Sequence, residues 1–259
     1  MSYVTVTELP GTMASREQLQ RMVNRYHFAS KYCGGKDVLE LACGAGIGLG
    51  LLKECSRSLI AGDIDAEILE VARRNNSVEC RVMDAQELPC EDKSFDVVIL
   101  FEAIYYLKEP GRFVGECKRV LRDGGYVIVS NPNKDLPDFN PSPFSYMYFN
   151  PPEFKRLFEP FGFTVECFGD APVVSDGLKS KMMTMAKKSA VAFGLMPKTM
   201  AGKQWLKRVV FGKLEEMPPC VTAIALEPQA LRDLDPNAPD HRHKVVLCLA
   251  SLSSNSRRV

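Results

Sequence analysis

The chain has 259 residues, of which 46% are hydrophobic, so it can fill the core of one large domain. Its 33 Lys and Arg residues balance 32 Asp and Glu residues. This balance excludes an overall electrostatic field that would attract nucleic acid or an anionic membrane.

Short apolar runs alternate with helical patterns from residue 37 onward. Five strands are predicted over 37–42, 58–63, 78–84, 94–101 and 126–131. Helices are predicted over 46–55, from Asp65 as N-cap to about Arg74, and over 111–125, where Gly124 ends the helix. This alternation predicts an α/β fold with a parallel sheet covered on both faces, and right-handed crossovers make it doubly wound.

Beyond residue 131 the pattern changes. Residues 131–152 carry six of the seventeen prolines, which predicts an ordered but irregular loop. A short helix ending at Gly162, a sixth strand over 163–169 and a last strand over 243–251 follow. The roughly 75 residues between these two strands far exceed the usual connection of about 2 to 6 residues, so an insertion is predicted.

These patterns predict three regions within a single domain. Residues 1–36 form an N-terminal helical cover, residues 37–176 and 241–259 form the core, and residues 177–240 form an inserted helical lid.

A glycine-rich stretch, "VLELACGAGIGLG" at 38–50, lies between the first strand and the first core helix. It reads E-x-x-x-G-x-G-x-G, with Glu40 followed by Gly44, Gly46 and Gly48. No register of these glycines gives the G-x-G-x-x-G dinucleotide fingerprint, which disfavours a nicotinamide dehydrogenase. Two interpretations are open: a turn that allows close helix packing, or a loop whose backbone approaches a ligand.

The next two predicted strands end in carboxylates. Asp63 ends the second strand, seventeen residues past Gly46, where a carboxylate can accept hydrogen bonds from both ribose hydroxyls. Asp84 ends the third strand and is followed by Ala85, a position that suits the exocyclic amino group of adenine. Together these residues favour an adenosine-containing ligand.

Four stretches in order carry a resemblance to a known family: "VLELACGAGIG", "AGDID", "VMDAQELPCEDKSFDVVILFEAIYYL" and "VLRDGGYVIVSNP". Over about residues 25–170 the chain resembles the class I S-adenosylmethionine-dependent methyltransferases. The resemblance implies a mostly parallel, seven-stranded Rossmann-like sheet, S-adenosyl-L-methionine as cofactor, and methyl transfer as the activity.

The resemblance also implies a set of cofactor-binding residues: Tyr26, Glu40, Ala42, Gly44, Gly46, Asp63, Ile64, Asp84, Ala85 and Phe101. The glycine loop would line the methionine part, with Glu40 behind it to organise the amino group. Ile64 would pack on adenine, and the carbonyl of Phe101 would accept from the methionine ammonium. Tyr26, in "RMVNRYHFAS", would close over the cofactor; ordinary packing against the sheet is the alternative.

Methyl transfer from a sulfonium depends mainly on alignment, and a general base is needed only when the acceptor must lose a proton. Tyr105 and Tyr106 follow the fourth strand, where the family frequently has a histidine, and are candidate catalytic residues. His27 is a third candidate, and structural packing is the alternative for all three. His241 and His243 are interpreted as a solvated lead-in to the last strand.

The predicted insertion is locally cationic, with nine Lys or Arg residues and no acid over 177–214. A helical apolar face is predicted at Met182, Met185, Ala186, Ser189, Ala190 and Phe193. Three interpretations are open: a cover over the acceptor pocket, a basic surface for an anionic acceptor, and a membrane-surface helix.

The leading hypothesis is a methyltransferase that acts on a small molecule, which can be anionic or linked to a sugar, nucleotide or lipid. A protein or RNA methyltransferase and a non-catalytic cofactor-binding module are the alternatives. No nucleic-acid signature is present, and the nine scattered cysteines contain no C-x-x-C pair, so no metal site is predicted. Without a signal-peptide pattern or an 18-residue apolar window, a cytoplasmic protein is expected. The acceptor atom and the oligomeric state are not predicted.

Overall fold

A computed structural model describes residues 7–173 and 214–253 of the chain. The strands in this part are β1 Met13–Ser15, β2 Asp37–Leu41, β3 Ser58–Asp63, β4 Glu79–Val82, β5 Phe95–Phe101, β6 Leu121–Pro132, β7 Phe163–Pro172, β8 Leu214–Glu216, β9 Arg232–Leu234 and β10 His243–Leu252. The helices are α1 Arg16–Cys33, α2 Leu49–Cys55, α3 Ala66–Asn75, α4 Pro110–Val120 and α5 Pro151–Phe158. Short 3₁₀ turns lie at Ile104–Tyr106, Glu159–Phe161 and Val221–Ala223.

The central sheet has the strand order β4-β3-β2-β5-β6-β10-β7-β9. Strands β2 to β6 are mutually parallel, whereas β10 runs antiparallel to both β6 and β7. This arrangement confirms the doubly wound, mostly parallel Rossmann-like fold. The sheet has eight strands rather than the predicted seven, because the three-residue β9 pairs with β7 at its outer edge.

Both faces of the sheet are buried, because neighbouring residues of one strand enter opposite cores. Val38 and Ile99 pack in the core that contains α1, α2 and α3. Leu39 and Leu100 pack in the second core with α4 and α5. Burial on both faces explains why the strands appear in the sequence as continuous apolar runs rather than alternating patterns.

Helix starts follow the predicted capping chemistry. The Asp65 side chain accepts hydrogen bonds from the backbone N–H groups of Glu67 and Ile68, which confirms it as the N-cap of α3. Ser15 forms a capping box with Gln18 at the start of α1, so this helix begins before the stretch "RMVNRYHFAS" that carries Tyr26. These caps fix the direction in which α1 and α3 leave the sheet edge.

The helical prediction for the insertion is wrong over residues 214–240. In this stretch β8 pairs with β1, β9 pairs with β7, and one 3₁₀ turn lies between them. Five prolines, at 218, 219, 228, 236 and 239, explain the difference because proline interrupts helices. The predicted apolar face from Met182 to Phe193 lies outside the described residues, and the division into core and insertion stays a prediction.

Candidate functional site

A cleft of about 410 Å³ opens at the carboxyl ends of β2 to β5, within the usual range for small-molecule sites of about 300–1,000 Å³. α1 and residues 7–8 form its opposite wall. Eight of the ten predicted cofactor residues line it: Tyr26, Ala42, Gly44, Asp63, Ile64, Asp84, Ala85 and Phe101. The fold therefore brings these residues together, and their contacts with a cofactor stay a prediction.

The glycine loop between β2 and α2 adopts left-handed backbone conformations. φ is +50° at Ala42, +56° at Gly44 and +76° at Gly46. A Cβ at Gly46 would lie 2.7 Å from Asn76 Nδ2 and 2.8 Å from Leu49 Cδ1. Gly46 is therefore packed against the neighbouring helices and, unlike Gly44, is not among the residues that line the cleft, so its contact with a cofactor stays a prediction.

Gly48 makes room for the ring of Tyr26. A Cβ at Gly48 would overlap the Cε1 and Cζ atoms of that ring. The Tyr26 hydroxyl donates a 2.7 Å hydrogen bond to Glu40 Oε1, and the ring meets Phe101 edge-on at 5.3 Å between centroids. Tyr26 thus both lines the cleft and packs against the sheet, so the two predicted interpretations are compatible.

Glu40 lies behind the loop and is only 1% exposed. Its second oxygen, Oε2, is buried and has no hydrogen-bond partner among the described residues. Burial raises the pKa of Glu40 from its ordinary value of 4.5 to about 7, although the Tyr26 hydrogen bond and Arg25 oppose the shift. A buried carboxylate oxygen without a donor fits a site that receives a cationic ligand group.

Asp63, at the end of β3, connects this strand to the glycine loop through hydrogen bonds. Its Oδ2 accepts from the Gly44 N–H and its Oδ1 from the Asp65 N–H, both at 2.9 Å. Burial raises the pKa of Asp63 above its ordinary value, and these backbone donors oppose the shift. A carboxylate accepts about four hydrogen bonds, so Asp63 keeps capacity to accept from ribose.

At the end of the cleft where adenine is predicted to bind, one apolar side chain is exposed and one carboxylate is held by a hydrogen bond. Ile64 is 55% exposed at the cleft, so a planar base that covered it would remove apolar surface from water. Asp84 Oδ1 accepts from the Gln86 N–H at 2.8 Å, while Gln86 Oε1 accepts from the Glu109 N–H at 2.7 Å. This end of the cleft suits an adenine ring.

The structure places the predicted catalytic tyrosines in different environments. Tyr105 and Tyr106 line the cleft, but Tyr105 is buried and stacks on Tyr148 at 4.5 Å between ring centroids. Burial raises the pKa of Tyr105 above its ordinary value, which disfavours its ionised form. The Tyr106 hydroxyl is 3.0 Å from Ser142 Oγ.

His27 is not among the residues that line the cleft, and its catalytic role stays a prediction. Successive residues of a helix are about 100° apart, and α1 turns Tyr26 rather than His27 toward the site. His243 is also not solvated as predicted: it is 7% exposed, its Nδ1 lies 3.2 Å from the Asp240 carboxylate, and Gly169 leaves space for its ring. His241 is exposed and contacts the Asp135 carbonyl.

Six charged residues of the cleft have no counterpart in the sequence predictions: Glu8, Arg21, Arg25, Glu102, Lys108 and Asp170. Arg25 pairs with Glu8 at 2.7 Å and lies over the Tyr26 and Phe101 rings at 5.6 and 5.9 Å. Glu102 follows Phe101 directly and has a φ of +52°. Glu102 could have been selected from the sequence because it directly follows Phe101, a predicted cofactor residue. No sequence pattern pairs Glu8 with Arg25.

Within the described ranges 7–173 and 214–253, no helix is both long and apolar enough to cross a membrane. In the same ranges, His, Cys, Asp and Glu side chains form no group of three or more that could hold a metal ion.

Comparison with known proteins identifies relatives of the cleft-forming region. Residues 39–129 match the family model described as "Methyltransferase domain". A "Probable S-adenosylmethionine-dependent methyltransferase" of Mycolicibacterium smegmatis is 37% identical over 165 residues, which cover 61% of this chain and 63% of that protein. A protein with the same description from Mycobacterium tuberculosis is 41% identical over 110 residues, covering 42% and 40%. The chain thus spans less than two thirds of the curated relatives it matches.

Solved structures share the fold across most of the chain. A methyltransferase from Archaeoglobus fulgidus, described as dependent on S-adenosylmethionine, aligns with a TM-score of 0.58 at 18% identity and covers 92% of this chain and 95% of its own. A similarly described protein from Thermotoga maritima has a TM-score of 0.58 at 15% identity, covering 90% and 91%. These matches support the Rossmann-like architecture.

Proposed function

We propose that the protein is a class I S-adenosylmethionine-dependent methyltransferase that transfers a methyl group from this cofactor to a small-molecule acceptor, since residues 39–129 match the "Methyltransferase domain" family model. The observation that carries the proposal is the convergence of four successive strand ends on one cleft. The left-handed glycine loop, Asp63, Asp84 and Phe101 all line this cleft, which supports their proposed contacts with the cofactor's methionine, ribose and adenine.

The charges of the cleft support a cationic cofactor. Three basic side chains line it: Arg21, Arg25 and Lys108. Five carboxylates also line it: Glu8, Asp63, Asp84, Glu102 and Asp170. An excess of negative charge in a confined site attracts a ligand that carries a sulfonium and an ammonium group. The buried Glu40 adds a further carboxylate behind the loop.

Bound S-adenosylmethionine supplies a methyl group on a positively charged sulfur that leaves as a neutral thioether. The chain's own residues therefore need mainly to hold the cofactor and the acceptor and to align them. Asp63 and the glycine loop would fix the ribose and methionine, and the aromatic residues after β5 would bound the acceptor side. Such alignment can contribute roughly 7 to 11 kcal/mol toward the reaction.

The residues that line the cleft support a small acceptor rather than a polymer. Tyr105, Tyr106 and Tyr146 wall the cleft beyond Phe101, and α1 covers its opposite side. A Mycobacterium ulcerans protein named "Phthiotriol/phenolphthiotriol dimycocerosates methyltransferase 1" is 36% identical over 116 residues, covering 42% of this chain. That similarity supports a lipid-linked acceptor among the proposed classes, and the basic segment 177–214 remains a proposed contact for an anionic group or a membrane surface.

A measurement of methyl transfer distinguishes an enzyme from a non-catalytic cofactor-binding module. The protein is incubated with S-adenosylmethionine labelled in its methyl group and fractionated metabolite extracts, and we expect label to enter a small-molecule fraction. Label in protein or RNA would favour the alternative acceptors. Cofactor binding without transfer to any pool would contradict the proposed activity and favour a module.

The ribose assignment predicts that Asp63 recognises the cofactor's hydroxyls. We expect wild-type protein to bind the 2′- or 3′-deoxy form of S-adenosylhomocysteine roughly tenfold or more weakly than the parent compound, because a hydrogen bond to a charged group contributes about 1.5 to 3 kcal/mol. Asp63→Ala should lose this preference. Because Asp63 also holds the Gly44 N–H, the variant should bind both ligands more weakly.

Calorimetry on wild type and Asp63→Ala, each with S-adenosylhomocysteine and its deoxy form, gives the ratio of the two Kd values for each protein. This ratio separates lost recognition of the hydroxyls from damage to the glycine loop. Damage to the loop alone would leave the deoxy preference unchanged in Asp63→Ala. That result would contradict the ribose assignment.

A further inference from the structure

Glu102 occupies an unusual position directly after β5. Its backbone N–H donates to the Ser130 carbonyl at 3.0 Å, and the Ser130 hydroxyl donates to Glu102 Oε1 at 3.0 Å. β6 therefore holds both the backbone and one carboxylate oxygen of Glu102. The side chain lines the cleft next to Phe101.

The backbone of Glu102 is strained. Its φ of +52° lies in the left-handed region, which costs a residue with a side chain about 1 to 2 kcal/mol. Residues held in such conformations cluster at functional sites, because strain persists only where surrounding contacts impose it. Here the contacts with Ser130 impose it, and the result is a carboxylate turned into the cleft.

The other carboxylates of the cleft are already engaged. Asp63 holds the glycine loop, Asp84 holds Gln86, and Glu8 pairs with Arg25. Asp170 Oδ1 accepts from the Asn24 side chain and from the Ala171 N–H. Among the described residues, Glu102 Oε2 has no hydrogen bond, and unlike Glu40 Oε2 it is not a fully buried atom.

The surroundings of Glu102 allow it to take up a proton. Burial raises its pKa above the ordinary value, while Arg25 and Arg21 from α1 oppose the shift. Glu8 also faces it, and Tyr105 lies on the adjoining 3₁₀ turn. A carboxylate with a raised pKa is a better proton acceptor than an exposed one, since a base works best when its pKa is near the working pH.

We propose that Glu102 is the general base that deprotonates the methyl acceptor, and that the acceptor therefore attacks through an O–H or N–H group. Glu102 Oε2 takes the proton, and the electron pair of the acceptor atom forms the new bond to the methyl carbon. The carbon–sulfur bond breaks, and its electron pair stays on sulfur. The products are the methylated acceptor, S-adenosylhomocysteine and a protonated Glu102 that releases its proton to water.

This proposal rests on the proposed methyl transfer, and Glu102→Gln tests it separately. Glutamine keeps the shape and the bond from Ser130 but cannot take the proton. With the extract fraction that accepts label, we expect kcat to fall about 10²- to 10⁴-fold. The Kd of S-adenosylhomocysteine, measured by calorimetry, should stay within threefold of wild type, and Glu87→Gln, an exposed carboxylate outside the cleft, should leave both values unchanged.

Two further readouts exclude a purely structural role. The wild-type kcat should fall at low pH with a slope of one proton, and this acid limb should be absent in Glu102→Gln but present in Glu102→Asp. The loss in the glutamine variant should shrink for acceptor analogues with a more acidic O–H or N–H, because these need less help to lose the proton.

Three results would overturn the proposal. These are turnover of Glu102→Gln within threefold of wild type, an acid limb that persists in that variant, and equal kcat losses for Glu102→Asp and Glu102→Gln. Absence of transfer by the wild-type protein to any extract fraction would overturn the proposed function and this proposal together.

Discussion

Gly48→Ala is expected to lower the free energy of unfolding by about 3 kcal/mol, at the upper end of the range for overpacking a core. The added Cβ would overlap the Tyr26 ring, and this ring cannot move without losing its hydrogen bond to the buried Glu40. Gly48 has a φ of −88°, so alanine meets no backbone strain there and the effect comes from the contact alone. Because Tyr26 lines the cleft, binding of S-adenosylhomocysteine should weaken as well.

Gly50→Ala is the matched control, because Gly50 lies two residues further along in α2 and a Cβ there meets nothing within 4 Å. This change should leave stability unchanged or raise it by about 0.5 to 1 kcal/mol through helix propensity. Urea unfolding of both variants gives the comparison. In a Tyr26→Leu background the cost of Gly48→Ala should largely disappear, and an undiminished cost would contradict the proposed overlap.

Glu40→Gln is expected to remove the pH dependence of stability that Glu40 imposes. The Glu40 carboxyl has a pKa of about 7 in the folded protein against an ordinary 4.5, so folding retains its proton. Its contribution to stability is complete below the unfolded pKa and is lost as pH rises through about 7. The variant, which has no proton to lose, should therefore gain roughly 2 to 3 kcal/mol relative to wild type between pH 5 and pH 8.

Urea unfolding at several pH values measures this gain, and Glu54→Gln, an exposed glutamate of α2, is the control expected to show none. Glutamine leaves a buried amide without its full set of acceptors, so the variant should be the less stable protein at pH 5. Wild-type affinity for S-adenosylhomocysteine should rise as pH increases through about 7, and the variant should lose this rise. Parallel stability profiles for wild type and Glu40→Gln would contradict the raised pKa.

The parts of the fold that depend on local pattern were predictable from the sequence. β3, from Ser58 to Asp63, has the predicted bounds, and the Asp65 cap begins α3 as expected. Burial on both faces of a parallel sheet makes such strands apolar throughout, and this signal is strong. Asp63 and Asp84 could be placed at the cleft because parallel strands end at the same sheet edge.

The features that the sequence did not predict depend on contacts between distant residues. β9 is three residues long and pairs with β7, and no periodicity can appear over three residues. Gly46 and Gly48 look alike in the sequence, but one faces Asn76 and the other faces Tyr26. The role of Glu102 depends on Ser130, a residue of the next strand, whose bond to it exists only in the folded chain.

The position of β10 has a consequence for synthesis on the ribosome. This strand, His243–Leu252, lies between β6 and β7, so the sheet is completed from its interior and at a late stage. Until it emerges, β6 and β7 each present an unpaired edge, a feature that promotes association between chains. Nascent chains stalled before residue 243 should therefore depend most on chaperones, and pairing of β10 with both neighbours should end that dependence.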